Sequence, residues 1–254
     1  MKTIKNIYYT EHNDDLRALD VYLPEHADRV PAFIYFHGGG LEAGRRLDQN
    51  IVDQAKYLTD RGIAMISADY RLYPHAKYPE FIEDAAAAVA YVFKNATELG
   101  ISDKIFVGGS SAGGYLSMML CFDARYLDVH GLSPMCITGF VHDAGQPTTH
   151  FNVLRERELD GKRLIVDEAA PLYHIGMAPT YPPMLIIVSD NDMENRLEQT
   201  MLLRSTLRHF GIGEDKVELQ IAHGKHTEYC GAYDASGNNV FATMITPFLQ
   251  KHFN

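Results

Sequence analysis

The stretch Ile105-Phe106-Val107-Gly108-Gly109-Ser110-Ser111-Ala112-Gly113-Gly114 decides the fold. Its first three residues favour a strand, and the helical run Tyr115 to Phe122 follows its glycines. Residues 109–113 fit the pattern G-x-S-x-G, in which a serine lies on a sharp turn between a strand and a helix. A dinucleotide-binding loop would have a different glycine spacing, and a P-loop would contain Gly-Lys-Ser/Thr. The stretch therefore predicts a strand-turn-helix unit that presents Ser111 as a candidate nucleophile.

Short β-rich segments alternate with helical patterns on both sides of this unit. The predicted strands cover residues 19–23, 32–36, 63–68, 105–107, 137–141, 184–188 and 217–221. The predicted helices outside the unit cover residues 48–61, 80–99, 194–210 and 240–253. Strands that alternate with helices form a mostly parallel sheet with helices on both faces. The fold class is therefore predicted to be α/β, and function is expected where strands end and helices begin.

Composition excludes several classes of protein. The chain has 254 residues and a formal net charge of −10, which argues against general affinity for nucleic acid or anionic membranes. With 46% hydrophobic and 22% charged residues, the composition is that of a globular protein. The three cysteines, Cys121, Cys136 and Cys230, fit neither a disulfide framework nor a zinc site, and we interpret them as buried small hydrophobic residues.

No targeting or membrane segment is visible in the sequence. Residues 1–15 contain no apolar run long enough for a signal peptide, and no run of about 18 apolar residues occurs anywhere. A cytoplasmic location without membrane association is therefore the expectation.

A second glycine-rich turn follows the predicted strand 32–36. His37-Gly38-Gly39-Gly40 lies about 70 residues upstream of the serine motif. Successive glycines after a buried strand allow backbone amides to point into a cleft, where they can hold an oxyanion. Two such turns in this order indicate acyl-transfer chemistry at one edge of the sheet.

A serine nucleophile needs a histidine to accept its proton and a carboxylate to orient that histidine. Two carboxylates, Asp190 and Asp192, follow the predicted strand 184–188. Asp143 is a third candidate, because it follows the predicted strand 137–141. The acid is expected among these three residues.

Two histidines are candidates for the base. His223 and His226 close the last predicted strand in the segment Ile221-Ala222-His223-Gly224-Lys225-His226. A glycine interrupts the segment and no H-E-x-x-H helix is present, so a metal site there is disfavoured. Neither a metal nor an organic cofactor is expected.

Three segments together resemble α/β-hydrolases of the hormone-sensitive-lipase-like esterase group, which includes carboxylesterases and acetyl esterases. They are His37-Gly38-Gly39-Gly40, Asp69-Tyr70-Arg71-Leu72-Tyr73-Pro74 and Gly109-Ser110-Ser111-Ala112-Gly113-Gly114. The resemblance runs from about residue 15 to the C-terminus. The chain departs from the group at Ser110, where Asp is frequent, and at Leu41, where an aromatic residue is frequent.

The resemblance implies a fold and a set of site residues. The implied fold is an eight-stranded, mainly parallel sheet. The implied triad is Ser111, Asp192 and His226, because the acid of the group follows its strand after a short turn and the histidine lies a few residues past a glycine. The implied oxyanion donors are the backbone amides of Gly39, Gly40 and Ala112.

The same resemblance indicates a single domain over residues 1–254, with a cap-like insertion at about 142–180. So short a cap covers a small cleft, which suggests acetyl-like acyl groups, for example on carbohydrate or xenobiotic esters. His142 and His150 lie in this segment, where a structural role is more probable than substrate contact. Six aromatic residues are candidates for lining a sugar or aryl pocket: Tyr70, Tyr73, Tyr78, Phe151, Tyr173 and Tyr181.

The predicted function is hydrolysis of short-chain esters through an acyl-enzyme intermediate. The alternatives are an arylformamidase-like amide or formamide hydrolase, and a non-catalytic binding protein on the hydrolase scaffold. The expected partner is a small-molecule ester, without nucleic acid or membrane, and a homodimer is compatible with the sequence.

Overall fold

The computed structural model describes residues 1–11, 14–26 and 28–253. The strands, in chain order, are β1 (Lys2–Tyr8), β2 (Ala18–Leu23), β3 (Val30–Phe36), β4 (Ala64–Ala68), β5 (Ile101–Ser110), β6 (Gly139–Asp143), β7 (Met184–Asn191) and β8 (Val217–Lys225). The α-helices are α1 (Gln49–Thr59), α2 (Glu80–Lys94), α3 (Ala112–Phe122), α4 (Arg125–Asp128), α5 (Phe151–Glu156), α6 (Pro171–His174), α7 (Arg196–His209) and α8 (Val240–Phe253).

The eight strands form one sheet in the order β1-β2-β4-β3-β5-β6-β7-β8. β2 pairs antiparallel with both β1 and β4, and every other neighbouring pair is parallel. The prediction of an eight-stranded, mostly parallel sheet flanked by helices is therefore confirmed. Because β5, β6, β7 and β8 are parallel neighbours, their carboxyl ends lie along one edge of the sheet.

Side chains of the central strands alternate between two cores. In β3, Phe33 and Tyr35 belong to the core beneath α1 and α8, whereas Ile34 and Phe36 belong to the core beneath α2 and α3. Successive residues of a strand point to opposite faces, so a strand covered on both faces is apolar throughout. This two-sided burial explains why the central strands read as continuous hydrophobic segments.

Two local expectations differ from the structure. Strand β1 is not among the predicted strands. It is an edge strand that is only partly buried, and its sequence KTIKNIY mixes apolar with charged and polar residues. The predicted helix 80–99 ends at Lys94, because the amide side chain of Asn95 bonds back to the carbonyl of Tyr91 at 2.8 Å. Asparagine competes with helix continuation in this way.

Residues 144–183 connect β6 to β7 and contain only the two short helices α5 and α6. We call this stretch the β6–β7 segment. It contacts two helices beside the sheet: the Tyr115 hydroxyl of α3 donates to the carbonyl of Ala169 at 2.8 Å, and Thr148 donates to the Gln199 side chain of α7 at 2.9 Å. The segment overlaps residues 142–180, for which a cap-like insertion is predicted. Within the described part of the chain, no helix combines the length and apolar character needed to cross a bilayer.

The approach of α3 to β3 leaves no room for a side chain at Gly113, where an added Cβ would lie 1.9 Å from the Phe36 carbonyl oxygen. We therefore expect Gly113→Ala to lower the free energy of unfolding by about 3 kcal/mol or more, since neither backbone can yield without cost. Urea unfolding monitored by circular dichroism measures this change. Gly231→Ala is the control, because Gly231 has an ordinary φ of −103° and nothing within 4 Å of its added Cβ. A loss as small as the control's would contradict the packing argument.

Candidate active site

Ser111 lies on the sharp turn between β5 and α3. Its backbone has φ 56° and ψ −111°, a conformation that is rare outside glycine. The Ser111 amide donates to the carbonyl of Asp143 at the end of β6, at 2.8 Å. Such strained serines at strand-to-helix turns expose their hydroxyl above the sheet. The side chain of Ser111 is correspondingly part-exposed.

Ser111, His226 and Asp192 form one hydrogen-bonded chain. The Oγ of Ser111 lies 2.8 Å from Nε2 of His226, and Nδ1 of His226 lies 2.5 Å from Oδ1 of Asp192. The three residues follow β5, β8 and β7, whose carboxyl ends lie along the same edge of the sheet. The structure thus brings together the three residues that the resemblance implied.

Burial and hydrogen bonding make Asp192 a fixed anion. Its side chain is 1% exposed and accepts hydrogen bonds from the amides of Met193 and Ser189, at 2.7 and 3.2 Å. Burial acts to raise the pKa of the carboxyl, but the hydrogen bond and charge of His226, together with these amides, outweigh it and lower the pKa. An ionised Asp192 orients the imidazole so that Nε2 faces Ser111.

The other predicted acid and base at this edge pair with each other. Asp190 binds Nδ1 of His223 at 2.8 Å and the amide of Gly224 at 3.0 Å. The His223 side chain is 97% exposed, and neither residue contacts Ser111. Asp190 therefore does not serve as the acid of the Ser111 chain.

The predicted oxyanion donors lie near Ser111: Gly39 and Gly40 line the same cleft as Ser111, and Ala112 follows Ser111 at the start of α3. Gly38 packs directly against Ser111, so that its added Cβ would lie 3.3 Å from Ser111 Cβ. Among the described residues, the amides of Gly39 and Gly40 have no hydrogen-bond acceptor. Ala112 is the first residue of α3, so its amide has no intrahelical partner either. All three amides are therefore available to a ligand.

Buried side chains hold the glycine-rich turn in place. The His37 ring is 2% exposed, stacks on Tyr70 with ring centroids 4.5 Å apart, and lies 3.4 Å from Asp69. Asp69 in turn forms an ion pair with the buried Arg46. Asn152 of the β6–β7 segment donates to the carbonyl of Gly40 at 3.0 Å. The turn is thus fixed from both sides, from the sheet and from the segment that covers it.

Part of this chain is similar to known sequences. The family described as BD-FAE matches residues 19–131. The chain is 40% identical over 105 residues to Carboxylesterase NlhH of Mycobacterium tuberculosis, which covers 41% of this chain and 32% of that relative. It is 35% identical over 101 residues to Acetyl esterase of Salmonella paratyphi B. This match covers 39% of this chain and 30% of that relative. The chain spans about a third of the length of these relatives.

Comparison of whole folds extends the likeness along the chain. A thermophilic esterase of Thermogutta terrifontis, Est2 with propionate bound, superposes with a TM-score of 0.75 at 25% identity and covers 96% of this chain and 93% of its own. This protein has the α/β-hydrolase fold. A truncated carbohydrate esterase from gut microbiota shares the fold, with a TM-score of 0.77 at 21% identity over 99% of this chain and 96% of its own. The predicted resemblance to the carboxylesterase and acetyl esterase group is confirmed.

The third predicted acid, Asp143, lies beneath Ser111 and does not bond to His226. Its fully buried carboxylate accepts hydrogen bonds from the hydroxyls of Ser110 and Tyr229 and from the Cys230 thiol, the last at 3.4 Å. Burial raises the pKa of Asp143 to about 6, although these donors and the charge of His226 act to lower it. Ser110, which stands where the group often has Asp, therefore binds an aspartate supplied by the neighbouring strand.

Sequence reasoning missed several residues that support the site. Tyr35 donates to Ser110 Oγ at 2.9 Å, and Tyr229 and Asn152 make the contacts described above. None of these residues belongs to a motif, and only the folded chain brings them close. The interpretation of the cysteines as buried hydrophobic residues fits Cys121, is incomplete for the hydrogen-bonded Cys230, and is wrong for the exposed Cys136.

The placement of His142 in the predicted cap is wrong, because this residue lies in β6, whereas His150 lies in the β6–β7 segment. Both histidines are buried and neither lines the Ser111 cleft. His142 packs between Phe122 and Phe140 and bonds to Ser117 Oγ at 2.9 Å, and burial lowers its pKa to about 3. His150 accepts from the amide of Asn152 at 3.2 Å and so caps α5. Of the six aromatic candidates, Phe151 lines the cleft.

The raised pKa of Asp143 predicts a distinctive pH dependence of stability. Because the folded protein holds this proton up to about pH 6 and the unfolded chain releases it near pH 4, wild type loses stability relative to Asp143→Asn as pH rises through this window. The unfolding free energy of wild type minus that of Asp143→Asn should be about 1 kcal/mol lower at pH 7.5 than at pH 5.0. Urea unfolding of both proteins at the two pH values measures this change.

Asp234→Asn is the control for this measurement. The pKa of Asp234 is lowered, first by the Asn238 amide and then by the Asn238 side chain, so its titration lies below the pH range compared. Its difference from wild type should stay constant between pH 5.0 and 7.5. A constant difference for Asp143→Asn as well would show that Asp143 is not a buried acid of raised pKa.

Proposed function

We propose that this protein is a serine hydrolase of carboxylic esters, with Ser111 as nucleophile, His226 as base and Asp192 as the orienting acid. The observation that carries the proposal is the hydrogen-bonded chain from Ser111 Oγ through His226 to the buried Asp192. Its relatives named carboxylesterase and acetyl esterase, and the bound propionate of the Thermogutta terrifontis esterase, support the same reaction class.

The first half of the reaction acylates the serine. Ser111 Oγ attacks the ester carbonyl carbon while Nε2 of His226 accepts the hydroxyl proton. The negative charge that develops on the carbonyl oxygen is received by the amides of Gly39, Gly40 and Ala112. Each well-placed donor is worth roughly 3 kcal/mol of transition-state stabilisation. Collapse of the tetrahedral intermediate expels the alcohol, which takes the proton from His226.

The second half releases the acid. A water molecule attacks the acyl-enzyme carbonyl while His226 again accepts a proton, and the same amides receive the charge. Collapse of this intermediate breaks the bond to Ser111 Oγ, which recovers its proton from His226. Throughout, Asp192 stays ionised and stabilises the imidazolium, because its lowered pKa keeps it deprotonated at neutral pH.

We propose that the cleft prefers short acyl groups. The cleft that contains Ser111 has a volume of about 410 Å³ and is bounded by Phe151 and Met193. The Phe151 ring closes against Gly40, where an added Cβ would lie 3.1 Å from the ring. We propose that the β6–β7 segment acts as a small cap within a single domain, and that carbohydrate esters are a candidate substrate class.

Substitution of each proposed residue beside a matched neighbour tests the triad. Ser111→Ala and Asp192→Asn should each lower kcat for 4-nitrophenyl acetate by about 10³-fold or more. Ser110→Ala and Asp190→Asn should retain kcat within about tenfold, because neither residue touches His226. A fluorophosphonate probe identifies the nucleophile by mass spectrometry. Full activity of Ser111→Ala, or labelling of Ser110, would refute the assignment.

The acyl-length preference is tested with 4-nitrophenyl esters of increasing chain length. We expect kcat/KM to be at least about tenfold higher for the acetate than for the octanoate, because one or two excluded methylenes already cost about tenfold. Phe151→Ala should lower the ratio of kcat/KM for the acetate to that for the octanoate, because it opens the cleft. Equal or faster cleavage of the octanoate by wild type would overturn the proposal, and N-formylkynurenine in the same assay would reveal an arylformamidase.

A further inference from the structure

A second cavity adjoins the Ser111 cleft. It has a volume of about 480 Å³, lies between the β6–β7 segment and the start of α7, and shares Phe151 and Met193 with the cleft. Three basic side chains line it: Arg155, Lys162 and Arg196. The proposed hydrolysis of a simple acetyl ester uses none of them.

Arg196 is a buried cation without a carboxylate partner. The residue is 4% exposed, and its guanidinium donates to two neutral oxygens, the carbonyl of Ala144 and Oε1 of Gln146, the latter at 3.5 Å. Its Nε has no hydrogen-bond partner, and no ion pair in the described residues includes Arg196. Buried charges in proteins are ordinarily paired, because an unpaired one carries a large desolvation cost.

The positive charge of Arg196 is not cancelled by its surroundings. Burial lowers its pKa to about 10, which leaves it protonated at neutral pH. The acidic group that acts on it is Asp192, which is already bound to His226. Burial lowers the pKa of His150, and the charges of Arg196 and Arg155 lower it further. Both cations therefore act on the same part of the β6–β7 segment.

The acidic residues of the cavity lie at its exposed rim. Glu194 and Asp160 are both exposed, and one oxygen of Asp160 accepts the amide of Lys162 at 2.9 Å. Arg155 lies 3.6 Å from Glu42 across the surface. Exposed pairs of this kind are screened by water and worth little. The interior of the cavity therefore keeps a net positive charge, supplied by Arg196.

We propose that this cavity binds a carboxylate of the substrate, so that the preferred esters carry a second, anionic group beside the ester that Ser111 cleaves. The inference rests on the proposed ester hydrolysis. A carboxylate there would pair with Arg196 and Lys162, the arrangement that charged hydrogen bonds favour. The anion belongs either to the acyl group, as in a half-ester of a dicarboxylic acid, or to the alcohol, as in an ester of a hydroxy acid.

Two pairs of esters test the proposal and distinguish these sources. The acyl pair is the 4-nitrophenyl monoester of glutarate against 4-nitrophenyl valerate. The alcohol pair is 4-acetoxybenzoate against its methyl ester. In each pair the readout is the ratio of kcat/KM for the anionic member to that for the neutral member. We expect the ratio to exceed one in the pair that matches the natural source and to fall as salt is raised.

Charge variants of the cavity should move this ratio in a predictable direction. Lys162→Gln should lower it about two- to fivefold and Arg196→Gln about tenfold or more, as expected for exposed and buried charges respectively. Asp160→Asn should raise it. Arg163→Gln is the matched control, because Arg163 is an exposed neighbour of Lys162 outside the cavity. Because Lys162 is exposed, we expect Lys162→Gln to fold, and this variant tests the proposal even if Arg196→Gln does not fold.

Direct binding separates this proposal from the proposed activity. Calorimetry with the Ser111→Ala protein measures the affinity for the glutarate monoester and for 4-acetoxybenzoate without cleavage. Tighter binding of either anion than of its neutral counterpart, lost in Lys162→Gln, supports the cavity even if hydrolysis were to fail. Ratios below one in both pairs, or ratios that neither Lys162→Gln nor Arg196→Gln changes, overturn the inference while leaving cleavage of neutral esters intact.

Discussion

At the turn between β5 and α3, two backbones approach so closely that a methyl group on Gly113 would lie 1.9 Å from the carbonyl oxygen of Phe36. The same turn holds Ser111 at a φ of 56° and ties its amide to the carbonyl of Asp143. Strain of this kind persists only where the surrounding structure over-determines the backbone. The packing of α3 against the sheet therefore holds the Ser111 backbone in this conformation, and the other residues of the candidate site lie around it.

Strand order explains how distant residues converge on that serine. β3 and β6 flank β5, so the glycine-rich turn after β3 and the carboxyl end of β6 lie on either side of Ser111. β7 and β8 follow along the same edge and deliver Asp192 and His226. In open parallel sheets, function collects at the carboxyl ends of strands for this reason. The buried network around Asp143 fills the remaining space below the serine with polar groups that bond to one another.

The parts of the site that lie on motifs were predictable, because a sharp turn beside a nucleophile restricts the local sequence to small residues. The turn at 109–113 and the glycines after β3 are such cases. The contacts of Asn152, Tyr229 and Arg196 were not predictable, since each depends on side chains that meet over long sequence separations and no local pattern marks them. The edge strand β1 was not predicted for a different reason: its residues are exposed or only partly buried, without a regular alternation between the two.

Two aspartate–histidine pairs lie side by side at the ends of β7 and β8. They differ in burial and in whether their histidine faces Ser111. The Asp192 side chain is 1% exposed and its partner His226 faces Ser111, whereas the Asp190 side chain is 44% exposed and its partner is almost fully in solvent. An exposed pair is screened and orients little, but a buried carboxylate holds its imidazole in one tautomer and direction. Asp192 lies in the loop that leads into α7, and Arg196, the first residue of α7, donates to the carbonyl of Ala144. The residue that joins the start of α7 to the β6–β7 segment is thus also the buried cation of the adjoining cavity.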